Sequence, residues 1–267
     1  MINSMTIIGN GKVGNAVARY RGTEVQNDPM GSQHATIVGS RTFLADPVSA
    51  VIERSDVIVL ATWDSVLTEV VAMLAKHHSE VLIGSLVLHV NGSLGTDILE
   101  PLARLGALVA AAHPFQTFSS GDPSQINGIG WGVECDDLAW PLTKEFIHLV
   151  GGFPFRLPKT DPVSKRRYHA AAVAASNFTY ASYDLARRLA EYVGIPAEAF
   201  LAPIMRRTLE NAIEAMKSNA PFPITGPLVR GDMDAVKRQH DAMPDHLKEQ
   251  YEHLTEALRR AIEAQRD

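Results

Sequence analysis

The run TIIGNGKVGNAVARY, residues 6–20, constrains the fold more than any other stretch of this chain. A short apolar segment leads directly into Gly9, Gly11 and Gly14, spaced G-x-G-x-x-G, and then into a helical pattern. The three glycines have separate physical jobs. The first permits a tight turn, the second lets main chain approach a pyrophosphate, and the third lets helix pack closely on strand. The pyrophosphate charge would then rest on the free N–H groups that open the helix. The spacing alone is weak evidence; its place in the first strand-to-helix turn of a βαβ pattern makes it informative. It predicts a dinucleotide site formed by Gly9, Asn10, Gly11, Lys12, Val13 and Gly14.

The segments that follow repeat this alternation. β-branched runs predict strands over residues 5–9, 35–39, 57–61, 81–84 and 107–111, with helices over 11–20, 47–54, 65–76 and 96–105 between them. Two further strands at 129–134 and 153–157 flank a helix at 138–149. This is the pattern of an α/β, Rossmann-like, doubly wound parallel sheet. The composition changes at PKTDP, and beyond it only helical patterns appear, over 165–193, 198–218, 233–242 and 245–264. The expected organisation is a nucleotide-binding domain over 1–158 and an all-α domain over 159–267.

The end of the second strand selects the dinucleotide. An acidic residue there would bind the ribose 2′-hydroxyl of NAD(H). This chain has Ser40, Arg41 and Thr42 instead, a hydroxyl and a guanidinium that suit a 2′-phosphate, so the expected cofactor is NADP(H). The alternative is that Arg41 is a solvated surface residue. After the third strand, Ala61, Thr62 and Trp63 are expected to line the cofactor's path.

Ligands of open α/β sheets bind outside the carboxyl ends of the strands. His89, Asn91 and Ser93 follow one strand, and His113, Gln116, Thr117 and Ser119 the next. For His89 the favoured reading is a hydrogen bond to backbone. The His113–Pro114 pair restrains the main chain and fixes where the imidazole points. In the long alanine-rich helix, His169, Ser176, Asn177 and Tyr180 share one face, either as an active-site wall or as a polar seam between subunits. The rigid loop PFPITGPLVRGD offers Thr225 and Arg230 as donors, Arg230 being able to grip a carboxylate in a fork. Asp232 reads as a helix N-cap.

A net charge of -5 on 267 residues gives no basic field for nucleic acid or anionic lipid. One cysteine, Cys135, makes neither an internal disulfide nor a thiolate metal site and reads as a small buried hydrophobe; no metal is expected. No signal peptide or membrane-length apolar run is read, so the expected location is cytoplasmic and the expected partner a small molecule.

GNGKVG, AHPFQTF, YHAAAVAASN and ITGPLVRGD, in this order, resemble a family of predicted NADP-dependent oxidoreductases. Its members join a Rossmann-like domain to a helical domain of uncharacterised function, similar to those of pyrroline-5-carboxylate reductase and the 6-phosphogluconate dehydrogenase superfamily. The resemblance implies a homodimer built by the helical domain. It also implies an NADP(H)-dependent dehydrogenase or reductase that transfers hydride to or from a small, carboxylate-bearing substrate. The related β-hydroxyacid dehydrogenases place a lysine and an asparagine on the first long helix of the second domain; this chain has His169 and Asn177 there, with no lysine at matching spacing. The His-Pro loop of prephenate dehydrogenase-like enzymes resembles His113–Pro114. The expected proton-moving and orienting residues are therefore His113, His169 and Asn177, and the substrate contacts Gln116, Thr225 and Arg230. Two rival readings keep the fold: a non-catalytic protein that senses NADP(H), and an enzyme using a deazaflavin.

Overall fold

The computed structural model describes residues 1–25, 34–48, 52 and 54–265. Its first part is one seven-stranded sheet in the order β2-β1-β3-β4-β5-β6-β7. Strand β1 (Ser4–Ile8) feeds helix α1 (Lys12–Val25) and then β2 (His34–Val38). Helix α2 (Ser40–Ala45), β3 (Val57–Leu60), α3 (Asp64–His77), the single turn α4 (Ser79–Leu82) and β4 (Leu86–His89) follow. A 3-10 turn (Thr96–Leu99) and α5 (Glu100–Ala103) lead to β5 (Leu108–Pro114), then β6 (Gly130–Cys135), α6 (Trp140–Leu149) and β7 (Phe153–Arg156).

Alternation along the strands buries both faces. Met5, Ile7, Val57 and Val59 join a core with Trp131 and Phe146, while Ile8, Ile58 and Leu60 join another with Phe43, Leu67 and Val70. Helices on both faces are what a parallel sheet with apolar residues at every position demands.

The sheet departs from the expected all-parallel pattern at β6, which runs antiparallel to β5, with β7 parallel to β6. The connection 115–129 holds only a 3-10 turn at Pro123–Gln125 rather than a crossover helix, so the chain reverses. The strand expected at 81–84 is also corrected. VLIGSLVLHV contains two apolar triplets, and the first is the end of α4, with Val81 and Leu82 buried. Gly84, at φ +78, and the Ser85 hydroxyl, which donates to Val81 O (2.8 Å) and Ser55 O (2.6 Å), turn the chain so that Leu86–His89 becomes the strand. The helix expected over 47–54 lies partly outside the described residues; the helix in this connection is α2, which starts at Ser40.

Four helices complete the chain after β7 and α7 (Pro162–Tyr192): α8 (Ala197–Lys217), α9 (Pro227–Arg230), α10 (Met233–Asp241) and α11 (Asp245–Ala264). Compactness divides the chain within α7, into one unit ending at Val173 and a second beginning at Ala174. In the second unit Asp232 caps α10 through Ala235 N (3.0 Å), as expected. Tyr251 donates to Gln239 (3.0 Å), and Gln250 to Ala181 O (2.8 Å). Among the described residues, no helix is long and apolar enough to cross a membrane.

Candidate functional site

The glycine turn sits where the sheet's winding reverses. Helix α1 carries the chain from β1 to β2 on one side, and the chain then returns across β1 to β3 on the other. The loops after β1 and β3 therefore lie side by side, the position at which open α/β sheets bind ligands. Gly9 N donates to Val38 O (2.8 Å) and Ala61 N to Ile8 O (2.8 Å), so three strand ends are locked together.

Two of the glycines have the geometry the spacing implied. Gly9 has φ +123, and a Cβ on it would stand 2.2 Å from Ala61 O; a Cβ on Gly14 would stand 1.9 Å from Gly9 O. Gly11 differs: nothing lies within 4 Å of its Cβ position, so this backbone is approachable from outside. Asn15 ties the turn by donating to Asn10 O (2.5 Å) and Gly11 O (3.0 Å). Asn10 reaches the neighbouring loop, its Nδ2 lying 3.2 Å from a Cβ built on Gly39, the residue that opens α2. Lys12 is exposed and Val13 half-buried against the core.

Ser40, Arg41 and Thr42 form the first turn of α2, Ser40 half-buried and the other two exposed. Past β3, Trp63 is 80% exposed, and Thr62 Oγ1 is buried without a hydrogen-bond partner. A buried hydroxyl left unpaired, next in sequence to the Ala61 that packs on the glycine turn, is a group waiting for a polar ligand. The turn, the approachable Gly11 and this hydroxyl fit a dinucleotide.

A second cluster, of ionisable groups, gathers at the carboxyl ends of β4 and β5. His113, one residue before the end of β5, pairs with Gly132 of β6. Its Nδ1 lies 3.1 Å from the Tyr168 hydroxyl, and its ring stands 5.6 Å from that of His169 in an edge-on arrangement. Gly92 lies between the imidazoles: a Cβ there would be 2.4 Å from His169 Nδ1 and 2.9 Å from His113 Nε2. Burial, with His169 and Lys165 nearby, pushes the His113 pKa down to about 3, so its ring is neutral near pH 7. His89 is fully buried and bonds Gly95 O through Nε2 (2.9 Å), while its Nδ1 accepts from Asn91 N (3.2 Å); this is the backbone role expected for it, at a strand end.

Sequence reasoning missed three members of this cluster. Lys165, one helical turn before His169, is 1% exposed, and its Nζ lies 3.7 Å from Glu134 Oε2. Glu134 is anchored by Thr96, whose N and Oγ1 each donate to Oε1 at 2.9 Å. Tyr168 packs its ring against His113 and Phe115. The signal available was the spacing of Lys165, Tyr168 and His169 at i, i+3 and i+4, which puts all three on one face.

Gln116 is exposed and accepts from Thr117 N (2.9 Å). Asn177, Thr225 and Arg230 belong to the second unit, all exposed, with Asn177 Oδ1 accepting from Ser176 Oγ (2.8 Å). Cys135 is half-buried, its thiol pushed up to about 11 by burial, and stays protonated. No group of three or more metal-ligating side chains occurs among the described residues.

Residues 2–114 match the model of a family described as Rossmann-like domain, and residues 129–258 that of a family described as domain of unknown function (DUF2520). Glu134, Lys165, Tyr168 and His169 come from the DUF2520 match, and His89 and His113 from the Rossmann-like match. The comparison with curated proteins returns no match.

Among solved structures, one from Bacteroides fragilis, provisionally described as an NADP oxidoreductase, is 20% identical, with a TM-score of 0.72 over 97% of this chain and 98% of its own. An imine reductase from Myxococcus stipitatus in complex with NADP+ is 16% identical, with a TM-score of 0.61 over 98% and 93%. A pyrroline-5-carboxylate reductase from Coxiella burnetii is 16% identical, with a TM-score of 0.54 over 99% and 97%. Likeness at these identities establishes the shared fold.

Proposed function

We propose that this protein is an NADP(H)-dependent reductase or dehydrogenase of a small, carboxylate-bearing substrate. The observation that carries the reading is the glycine turn: two glycines leave no room for a side chain, and a third leaves its backbone open, beside an unpaired buried hydroxyl. Gly9, Asn10, Gly11 and the first N–H groups of α1 would hold the pyrophosphate, with Thr62 as an added donor. Ser40, Arg41 and Thr42 would hold the 2′-phosphate, and Trp63 would cover the ribose side. The cofactor supplies the hydride; the chain's own residues orient the substrate and handle the proton. His113 and His169 are the groups proposed for the second task, with Asn177 and Gln116 orienting the substrate and Thr225 and Arg230 binding its anionic end. Two proteins of the same fold support this reading: one is provisionally described as an NADP oxidoreductase, and the imine reductase from Myxococcus stipitatus is in complex with NADP+.

Titration with NADPH and NADH, followed by nicotinamide fluorescence and thermal shift, is the direct test. Binding is expected to favour NADPH. Arg41→Asp is expected to weaken NADPH by at least about tenfold, about 1.4 kcal/mol, and NADH far less. Equal effects on both would remove the case for the 2′-phosphate.

A homodimer in the cytoplasm completes the proposal. In the second unit α8 runs for 21 residues with Ala215 its one buried side chain, while Phe200, Ile204, Leu209 and Met216 are each more than half exposed. A helix of that kind draws its stability from a partner surface. A second copy of the same helices supplies one of matching apolar character. Sedimentation at micromolar concentration is expected to show a species near twice 29.1 kDa, and a clean monomer would contradict it.

A further inference from the structure

The segment VNGSLG, residues 90–95, joins β4 to the 3-10 turn without regular structure, yet hydrogen bonds hold it from two directions. The first hold is His89. The Asn91 amide N–H can only donate, so His89 Nδ1 accepts it at 3.2 Å, and the ring's own proton is on Nε2, which donates to Gly95 O at 2.9 Å. The second hold is the Asn91 side chain. Its Nδ2 donates to Oδ1 of Asp64, 27 positions earlier and the first residue of α3. Its Oδ1 accepts from Ser93 N (2.7 Å), Ser93 Oγ (3.0 Å) and Leu94 N (2.9 Å), which folds the loop around the residue between.

That residue is Gly92, which is buried. A Cβ on it would be 2.4 Å from His169 Nδ1 and 2.9 Å from His113 Nε2, so only bare main chain fits against the two rings. His169 Nδ1 is buried and has no hydrogen-bond partner, so packing on Gly92, rather than a bond, is what meets it. A glycine has no side chain to fix its own place and the widest backbone freedom of any residue. Its place is therefore set by its neighbours, and both of them, Asn91 and Ser93, are held by the Asn91 amide. At the other end of the bridge, Asp64 lies two residues after Thr62, whose N would be 3.2 Å from a Cβ on Gly9.

We infer that Asn91 is a positioning residue: bonded to Asp64 at the turn after β3, it sets where the main chain of Gly92 lies against His113 and His169. The bridge joins the turn proposed to hold the dinucleotide to the imidazoles proposed to handle the proton. That consequence rests on the reductase reading, whereas the placement of Gly92 does not.

The bridge can be broken and remade by exchanging its ends. Asn91→Asp keeps an oxygen for Ser93 and Leu94 but sets a carboxylate against Asp64. Asp64→Asn keeps an oxygen for Asn91 Nδ2, and the double variant exchanges donor and acceptor. The measurement is 15N NMR of the histidine side chains in the full-length protein without cofactor, with the signals assigned by their loss in His113→Gln and His169→Gln. Asn91→Asp is expected to shift the signals of both rings, while Asp64→Asn and the double variant keep them at their wild-type positions. Signals that stay in place in Asn91→Asp would overturn the inference. So would a double variant that fails to restore them, because the new charge rather than the broken bridge would then have moved them. Asp64→Ala removes an exposed side chain without adding a charge; it makes the same break should Asn91→Asp fail to fold, and is expected to shift the same signals. If NADPH binds and a substrate is turned over, Asn91→Asp is expected to lower kcat roughly three- to tenfold, the worth of one hydrogen bond, with NADPH affinity unchanged and kcat regained in the double variant. A loss of NADPH affinity in step with kcat would mean a general disturbance of the sheet's end and would count against the positioning role. Failure of the wild type to bind NADPH would remove the reductase reading and leave the ring result standing.

Discussion

Gly14→Ala is expected to lose about 3 kcal/mol of stability, the upper end of the usual cost of overpacking. The added methyl would be 1.9 Å from Gly9 O, and that oxygen belongs to main chain held in place by the bonds of Gly9 to Val38 and of Ala61 to Ile8. Neither α1 nor β1 can retreat without uncovering Ala16 and Val17, both fully buried. For a chain of this size the loss corresponds to a melting temperature lower by roughly 6–12 °C.

Gly11→Ala is the informative contrast. Its Cβ meets nothing within 4 Å, so stability should stay within about 0.5 kcal/mol of wild type. NADPH affinity should nonetheless fall by about tenfold or more, since the methyl would occupy the side from which a pyrophosphate approaches. Thermal unfolding and fluorescence titration of both variants separate a packing role from a binding role. Wild-type NADPH affinity in Gly11→Ala would place the ligand elsewhere, and wild-type stability in Gly14→Ala would refute the close approach of helix to strand.

What could be read ahead of the fold and what could not follows from the range of the interactions. The turn after β1 is local: six consecutive residues encode a shape, in which Gly9 makes the turn, Gly14 lets helix meet strand and Gly11 stays open. The helix boundaries of the second unit are local in the same way, fixed by Asp232 as a cap and Pro244 as a break; α11 spans the 245–264 expected. Strand assignment failed where composition is degenerate, since either apolar triplet of VLIGSLVLHV can form a strand and only the turn at Gly84 and the bonds of Ser85 decide. The direction of β6 depends on what a connection lacks, which no periodicity reports. The His113 cluster is less legible still. His113 stood out through its pairing with Pro114 and His169 as a polar group in an alanine-rich helix, but Lys165 was only the first residue of the helix expected over 165–193 and Glu134 the last of the strand expected over 129–134. Their pairing joins β6 to α7 across 31 positions, and a single sequence carries no mark of it.

That pairing predicts the second large effect. Glu134→Gln should destabilise the protein by about 3 kcal/mol, the low end of the cost of leaving one member of a buried ion pair without its partner. Lys165 is 1% exposed and its Nζ makes no hydrogen bond, so the carboxylate 3.7 Å away is what compensates its charge. Glutamine keeps an oxygen for the two Thr96 donors, and the loss therefore reports on the charge alone. Lys165 already has a pKa below its ordinary 10.5 because burial penalises the ammonium, and removing the carboxylate lowers it further. The folded state then binds fewer protons than the unfolded one between its own lowered pKa and 10.5, so stability of Glu134→Gln should rise with pH across that window, more steeply than wild type. Lys165→Met in the Glu134→Gln background removes the stranded charge and should recover most of the loss, because a buried ion pair replaced as a unit costs little. Denaturant unfolding of the two single variants and the double variant at neutral pH gives a coupling energy of about 2 kcal/mol if the charges act on each other. Additive losses would mean that Lys165 is compensated elsewhere, and the electrostatic frame around His113 would need another source.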